Sequence, residues 1–327
     1  GTILEKSGVA DELLKALQVL TRRIPGGLAM SVTLMGTIMA ATTGIVGASV
    51  IMLTLIALPT MLAAGYSKEL SVGTIASAGT LGILIPPSIM LVIMGDLLTI
   101  SVGTLFTAAI IPGLALSMIY LIYQGILAFA KPHLAPPLHA DIGPKSSGEM
   151  MRMVLRSFLP PAALIFVVLG SIFGGFATPT EAGGTGSAGA LALAAWNKRL
   201  NMKMLREVIE SSALTNALVF FIIFGATLFS FVFRALGGDD LVVEILHGLG
   251  INTGWEIMIF VMALVFIMGF FFDWLEICLI VLPIFAPILS KLSFEPHLAT
   301  NKDFMLWFTI LVAVNLQSAF LTPPFGF

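Results

Sequence analysis

Residues 28 to 64 form one apolar stretch without a single charged side chain, and that stretch limits the possible folds more than any other feature. A helix needs roughly 20 mainly apolar residues to cross a bilayer. At least seven stretches of this chain reach that length with at most one or two charges. Of 327 residues, 58% are hydrophobic and 10% charged, against about 25% charged in an average soluble domain. A signal peptide or a single anchor is excluded. Inside lipid every backbone N–H and C=O must be satisfied within the protein, so the expected class is an all-α membrane protein.

Apolar length sketches spans at 28–64, 72–96, 103–130, 157–175, 182–196, 214–236, 255–290 and 303 onward. Two have the wrong length. Segments 28–64 and 255–290 are too long for one crossing and too short for two crossings plus a turn, which fits a re-entrant helical hairpin in each. Cytoplasmic loops are enriched in Lys and Arg. If the first hairpin opens to the cytoplasm, 13 of the 16 basic residues fall inside, and only Arg234, Lys291 and Lys302 fall outside. The second hairpin then opens to the opposite face.

Two hairpins entering from opposite faces, each followed by a proline-interrupted span, form an inverted-repeat pattern. Secondary transporters built this way bind solute near the midplane, where their broken helices meet. The expected organisation is an interfacial helix and entry segment at 1–27, a first repeat at 28–130, a cytoplasmic loop at 131–156, and a second repeat at 157–327. Hairpin 28–64, broken helix 72–96 and span 103–130 make up the first repeat. Spans 157–175, 182–196 and 214–236, hairpin 255–290 and a truncated broken helix 303–327 make up the second. Val9, Leu13, Leu14, Leu17 and Leu20 share one helical face, as do Leu200, Met204, Leu205 and Val208. Each set suits a helix lying on the cytoplasmic surface or packed against the protein itself.

The strongest local motif runs from Gly79 to Ser88, Gly-Thr-Leu-Gly-Ile-Leu-Ile-Pro-Pro-Ser. A continuous helix would need amide hydrogens from Pro86 and Pro87 for the carbonyls of Gly82 and Ile83, and proline has none. Ile85 is pushed towards an extended conformation by the proline that follows. The helix is therefore expected to break over Gly82 to Pro87 and leave those oxygens free. Thr322-Pro323-Pro324 does the same for the carbonyls of Ala319 and Phe320. Hard cations take oxygen ligands, and unwound backbone at a half-helix end holds sodium in transporters. The tip of the first hairpin, Thr42 to Ser49, adds hydroxyls, with Thr43 and Ser49 as candidates.

Few acids lie near the membrane. Thr178-Pro179-Thr180-Glu181 matches a capping box, with Thr178 as N-cap and Glu181 reaching back, so Glu181 reads as structural. Asp273 and Glu276 lie mid-way along the second hairpin. Both are functional candidates by depth, with capping of the second arm as the rival reading. One cysteine, Cys278, permits no intrachain disulfide or zinc cluster. The four histidines, in polar connections, show no metal-ligand spacing.

At these residues the chain resembles the large membrane subunit of the tripartite ATP-independent periplasmic (TRAP) transporters. Ile24-Pro25-Gly26-Gly27, the Thr42 to Ser49 turn, Gly79 to Ser88, Ile111-Pro112-Gly113, Ala177 to Ala182 and Leu321 to Gly326 look like family motifs in family order. The resemblance implies an elevator-type sodium symporter of the bacterial inner membrane. It would import a small organic acid or related polar metabolite, with sodium as coupling ion and no organic cofactor. Its partners would be a small membrane subunit and a periplasmic substrate-binding protein. Sodium would be held near Ser49, Gly82, Ile85 and Pro87, and by a second cluster around the other hairpin, Thr322 and Pro323. Family members carry spans before the segment matching Gly1 and continue past the second Pro-Pro, so the chain resembles a fragment. Its first turn has Gly47-Ala48-Ser49 where many relatives have a serine-rich turn.

No Gly-x-x-x-x-Gly-Lys-[Ser/Thr] phosphate loop is present, which disfavours a primary pump. The sketched spans hold no histidine, and their only close acid pair is Asp273 and Glu276, which disfavours a membrane enzyme. A proton-coupled relative or a channel remains the alternative. The charge pattern generates a first test. Ser67→Cys and Ser293→Cys, in otherwise cysteine-free protein, are expected to react with an impermeant maleimide from opposite faces of the membrane. Labelling of both from one face would refute the opposed hairpins.

Overall fold

The computed structural model describes residues 2–43, 46–138, 143, 144, 146–292, 294 and 301–321. The described residues form helices and no strand. In order these are α1 (Thr2–Lys6), α2 (Val9–Thr21), α3 (Gly27–Thr43), α4 (Val46–Ala63), α5 (Lys68–Thr80), α6 (Ile89–Leu98), α7 (Val102–Ala130), α8 (Ser147–Phe173) and α9 (Pro179–Trp196). Then come α10 (Met202–Ala235), α11 (Gly238–Gly248), α12 (Gly254–Met268), α13 (Trp274–Leu289) and α14 (Asn301–Asn315). Single 3-10 turns at Leu81–Ile83 and Leu316–Phe320 follow α5 and α14. The chain divides into two compact units, 1–89 with 109–211, and 90–108 with 212–327.

Three helices, α7, α8 from Gly148, and α10, are long and apolar enough to cross a membrane. Phe220, Phe221, Phe224 and Phe231 of α10 are exposed, an arrangement that water penalises and lipid does not. Two of these helices begin earlier than apolar length predicts. Helix α8 starts at Ser147 rather than 157, and α10 at Met202 rather than 214. Charged residues end an apolar stretch without ending a helix, and no proline lies in either extension to stop it.

In the first unit, α2 buries Val9, Leu13, Leu14 and Leu17 against α3 and α8, so its apolar face is used within the protein. Leu20 is exposed. Met204 and Val208 pack with Ala194 and Ile3, while Leu200 is exposed.

Helices α3 and α4 form the first hairpin and pack against α5. Its base is closed from both sides by one short segment. The Gly26 amide donates to the Ala135 carbonyl at 3.0 Å, and the Ser67 amide donates to Leu134 at 3.0 Å. The Leu28 amide donates to the Tyr66 hydroxyl at 3.2 Å. Gly26 has φ +75°, a conformation few side chains tolerate. Polar pairs tie α3 to α7: Thr37 Oγ1 with Ser117 Oγ at 2.6 Å, and Gln124 Nε2 donating to Thr33 Oγ1 at 2.7 Å.

In the second unit α12 and α13 form a second hairpin, packed on α14 through α12. Rings close its base. Trp255 meets Phe294 edge-on at 5.7 Å, and Phe294 stacks on Phe304 at 4.2 Å. Thr253 and Glu256 form a capping box at the start of α12. Within α13, Pro287 denies an amide hydrogen to the Pro283 carbonyl, and Arg234 Nη2 donates to that carbonyl at 2.7 Å. The four hairpin arms have 15 to 18 residues. They measure ~23–27 Å at 1.5 Å per residue, short of the ~30 Å hydrocarbon core.

Close packing in the first unit depends on small residues. A Cβ on Gly36 would lie 2.7 Å from the Ala78 carbonyl oxygen, and one on Gly79 would lie 2.4 Å from Val50 Cγ2 and 3.2 Å from Val50 backbone atoms. Gly73, on the same helix, has open space. Gly73→Ala is therefore expected to stabilise the protein by about 0.5–1 kcal/mol through helix propensity. Gly79→Ala should destabilise it despite the same propensity gain. Thermal unfolding in detergent checks the opposite signs; two stabilised variants would refute the close approach of α4 and α5.

Candidate functional site

The helix interruption expected at Gly82 to Pro87 lies between the end of α5 at Thr80 and the start of α6 at Ile89. Leu81–Ile83 tightens into one 3-10 turn, where the Leu84 and Ile85 amides both donate to the Leu81 carbonyl at 3.1 and 3.0 Å. Pro86 cannot donate to Gly82, nor Pro87 to Ile83. The two carbonyls fare differently. Ser88 Oγ donates to the Ile83 carbonyl, so that oxygen is not free as the sequence reading had it. The hydroxyl stands one residue beyond the proline that removes the amide. The Gly82 carbonyl lacks its helical donor.

Gly82 and Ile85 are both buried. Hairpin helices α3 and α4 pack directly on the 3-10 turn, with Gly79 against Val50. Ser49, next to Val50, is 4% exposed and hydrogen-bonded. The structure thus brings Ser49's helix against the break that holds Gly82 and Ile85. Pro87 is half-buried and lines an apolar cavity of about 150 Å³ with Leu164, Val168, Ala182 and Gly186. Its structural effect is the missing amide hydrogen. Thr43 ends α3; its side chain, and all of Thr322 and Pro323, lie outside the described residues.

The second unit presents a related set. Asp273 is the N-cap of α13, with Oδ1 accepting from the Trp274 amide at 2.8 Å. Glu276, one turn on, has Oε2 buried without a hydrogen-bond partner. The 3-10 turn that follows α14 packs against α12. A Cβ on Gly269 would be 2.6 Å from Ala319 Cβ, so here too a hairpin meets a tightened turn through a glycine. Asn315 Nδ2 donates to the Met262 carbonyl of α12 at 2.7 Å. Gln317 is 4% exposed, and neither of its side-chain polar atoms has a partner. The sequence reading passed over Ser88, Asn315 and Gln317. For the last two the signal was present: they are amides in an apolar span, placed just before a Pro-Pro pair.

Thr178 and Glu181 form a capping box at the start of α9. The Thr178 amide and hydroxyl each donate to Glu181 Oε2 at 2.8 Å, and the Glu181 amide donates to Thr178 Oγ1 at 3.3 Å. The Thr178 amide, and then its hydroxyl, hold the Glu181 carboxyl below the usual carboxylate range. Among the described residues no cluster of three His, Cys, Asp or Glu could hold a metal ion.

A lowered folded-state pKa means that the carboxylate contributes stability above its unfolded pKa, and that this is lost as pH falls through the folded value. Glu181→Gln is therefore expected to be slightly less stable than the parent at neutral pH, with the difference vanishing in acid. Transport should be unchanged. Thermal unfolding across pH, together with uptake, checks both; loss of uptake in a well-folded variant would make the carboxylate functional.

A family profile described as "Tripartite ATP-independent periplasmic transporter, DctM component" matches residues 1–327. The chain is 32% identical over 336 residues to the C4-dicarboxylate TRAP transporter large permease protein DctM of Pseudomonas aeruginosa, covering 100% of this chain and 73% of that protein. It is 30% identical over 341 residues to the protein of the same description from Rhodobacter capsulatus, covering 100% and 74%. It is 28% identical over 327 residues to the ectoine TRAP transporter large permease protein TeaC of Halomonas elongata, covering 99% and 72%. These relatives are transporter permeases rather than enzymes. With helices of membrane-crossing length and apolarity, this chain belongs to the membrane-embedded large permease components of the tripartite ATP-independent periplasmic transporters.

Proposed function

We propose that this chain is the solute-translocating subunit of a sodium-driven importer in the bacterial inner membrane. Its solute is a small organic acid or related polar metabolite. A periplasmic binding protein delivers the solute, and a small membrane subunit completes the complex. The two hairpins and two interrupted helices act as inverted repeats of an elevator-type carrier. Relatives named for C4-dicarboxylates and for ectoine support a polar, carboxylate-bearing solute.

The observation that carries the reading is the buried break after α5. A carbonyl without its helical donor is costly in a low-dielectric interior, and a desolvated cation is the partner such an oxygen accepts. No Asp or Glu stands between Glu69 and Asp96, so backbone oxygens must supply most of the local field. Ser88, by satisfying Ile83, leaves Gly82 as the carbonyl directed to the ion. A proton-coupled carrier is the second reading, because Glu276 Oε2 is buried without a hydrogen-bond partner in an apolar hairpin, where an acid is a functional candidate.

Uptake into proteoliposomes of the complete complex, with sodium and pH gradients imposed separately, decides between them. Sodium alone should drive uptake; accumulation driven by pH with no sodium present would favour Glu276. Pro86→Ala restores an amide hydrogen to the Gly82 carbonyl. It should raise the sodium concentration for half-maximal uptake about tenfold, the factor that follows from losing ~1.4 kcal/mol of binding. Ile83→Val keeps the backbone path and should be mild. An unchanged sodium requirement in Pro86→Ala would sink backbone coordination at this break.

A further inference from the structure

A cavity of about 720 Å³ lies between α5 and α7 of the first unit, a size typical of small-molecule sites. Gly73 lines it, and a Cβ there would meet no atom within 4 Å. Two further lining groups are polar, buried and unpartnered. Thr74 is 3% exposed and Gln124 is 4% exposed, and neither Thr74 Oγ1 nor Gln124 Oε1 has a hydrogen-bond partner. Gln124 Nε2 donates to Thr33 Oγ1, which holds the amide in place and leaves its oxygen unused. Thr74 stands six residues from the start of α5, and Gln124 six from the end of α7. Those two ends are neighbours, because Ser67 is tied to Leu134 just beyond α7. Each oxygen therefore lies ~9 Å along its helix, and the two stand at one level. Burying such oxygens without donors is costly.

The lining sets what can supply those donors. Gln124 Oε1 only accepts and Thr74 Oγ1 can accept, so the complementary group carries at least two donors. Among the described residues that line the cavity, Glu69 alone is ionised at neutral pH, which favours a cation and disfavours a carboxylate-bearing solute. Tyr120 and Tyr123 line it as well, and tyrosine faces attract an ammonium. Leu70, Ile119 and Leu127 supply apolar wall. We propose that this cavity binds an amphiphile bearing a primary ammonium, whose N–H groups donate to Gln124 Oε1 and Thr74 Oγ1 while its chain lies on the apolar wall. A free alkylamine and an ethanolamine phospholipid both carry that group. Tyr120 packs on Leu81 and Ile85 of the helix interruption, so the site adjoins the break without using its carbonyls. The inference does not rest on the sodium reading above.

The test uses the complete permease complex in phosphatidylcholine nanodiscs and follows thermal unfolding against hexylamine. Hexylamine should stabilise the parent in a saturable way. Hexyltrimethylammonium, which keeps the charge and chain but has no N–H, should not. Thr74→Val removes the unpartnered hydroxyl at nearly constant shape. Without amine it should unfold at a higher temperature than the parent, yet need about tenfold more hexylamine for half of the shift. Gly73→Phe fills the cavity and should abolish the response. Should that variant not fold, Gln124→Met removes the acceptor and should weaken the response as Thr74→Val does. Phosphatidylethanolamine in the nanodiscs separates the two sources. A lipid occupant stabilises the parent and suppresses the hexylamine shift, whereas a site for free amine keeps that shift in full. Equal shifts from hexyltrimethylammonium would overturn the inference, as would a response to hexylamine in Thr74→Val and Gly73→Phe equal to that of the parent. So would a parent indifferent to hexylamine and phosphatidylethanolamine alike. Sodium enters none of these comparisons, so their failure leaves the sodium reading intact.

Discussion

Backbone hydrogen bonding without water is the constraint on which this structure rests. Where no proline interrupts the ladder, α10 runs through 34 residues of largely apolar sequence; α7 and α8 carry Pro112 and Pro160-Pro161 within helices that continue past them. Where proline removes a donor, the oxygen it leaves is either satisfied or exposed to use, and the chain shows distinct solutions. The Pro283 carbonyl receives a guanidinium from Arg234, and the Ile83 carbonyl receives a hydroxyl from Ser88. The Gly82 carbonyl loses its helical donor to Pro86 and lies in a buried turn. Proline here decides which oxygens are available for chemistry.

Availability needs proximity, and proximity comes from missing side chains. Gly79 lets Val50 approach the end of α5, and Gly269 lets the 3-10 turn approach the end of α12. In each unit the glycine stands within a few residues of a helix end, the region where backbone groups are least satisfied by the helix itself. Close packing and unsatisfied backbone are thus placed together twice, by different sequences.

Much of this was legible in the sequence. The excess length of 28–64 and 255–290 anticipated two helical hairpins, and Pro86-Pro87 anticipated an interruption within a few residues of its place. Thr178 and Glu181 announced a capping box by spacing alone. What was not legible depended on contacts distant in sequence. No local pattern says that Ser88 turns back to Ile83, or that Pro87 lines a cavity with residues of α8 and α9. The start of α8 was missed, and the helix read over Leu200 to Val208 was not joined to span 214–236 as in α10, because hydropathy measures where lipid is tolerated, whereas helix ends are set by caps and breakers. Asn315 and Gln317 were visible as amides among apolar neighbours, but their importance comes from burial, which sequence does not report.

The two hairpin bases are closed by unlike means, and this bears on how the family can vary. At the first base, Gly26 and Ser67 bind Ala135 and Leu134 through main-chain atoms, which every residue but proline supplies. Substitution can therefore drift there provided that Gly26 keeps its positive φ. At the second base the closure is Trp255, Phe294 and Phe304, and only aromatic rings of similar size can replace it. Divergence between relatives should thus be asymmetric, with Leu134 free to change its side chain beside a buried, small Ala135 and the ring cluster exchanging only one aromatic residue for another.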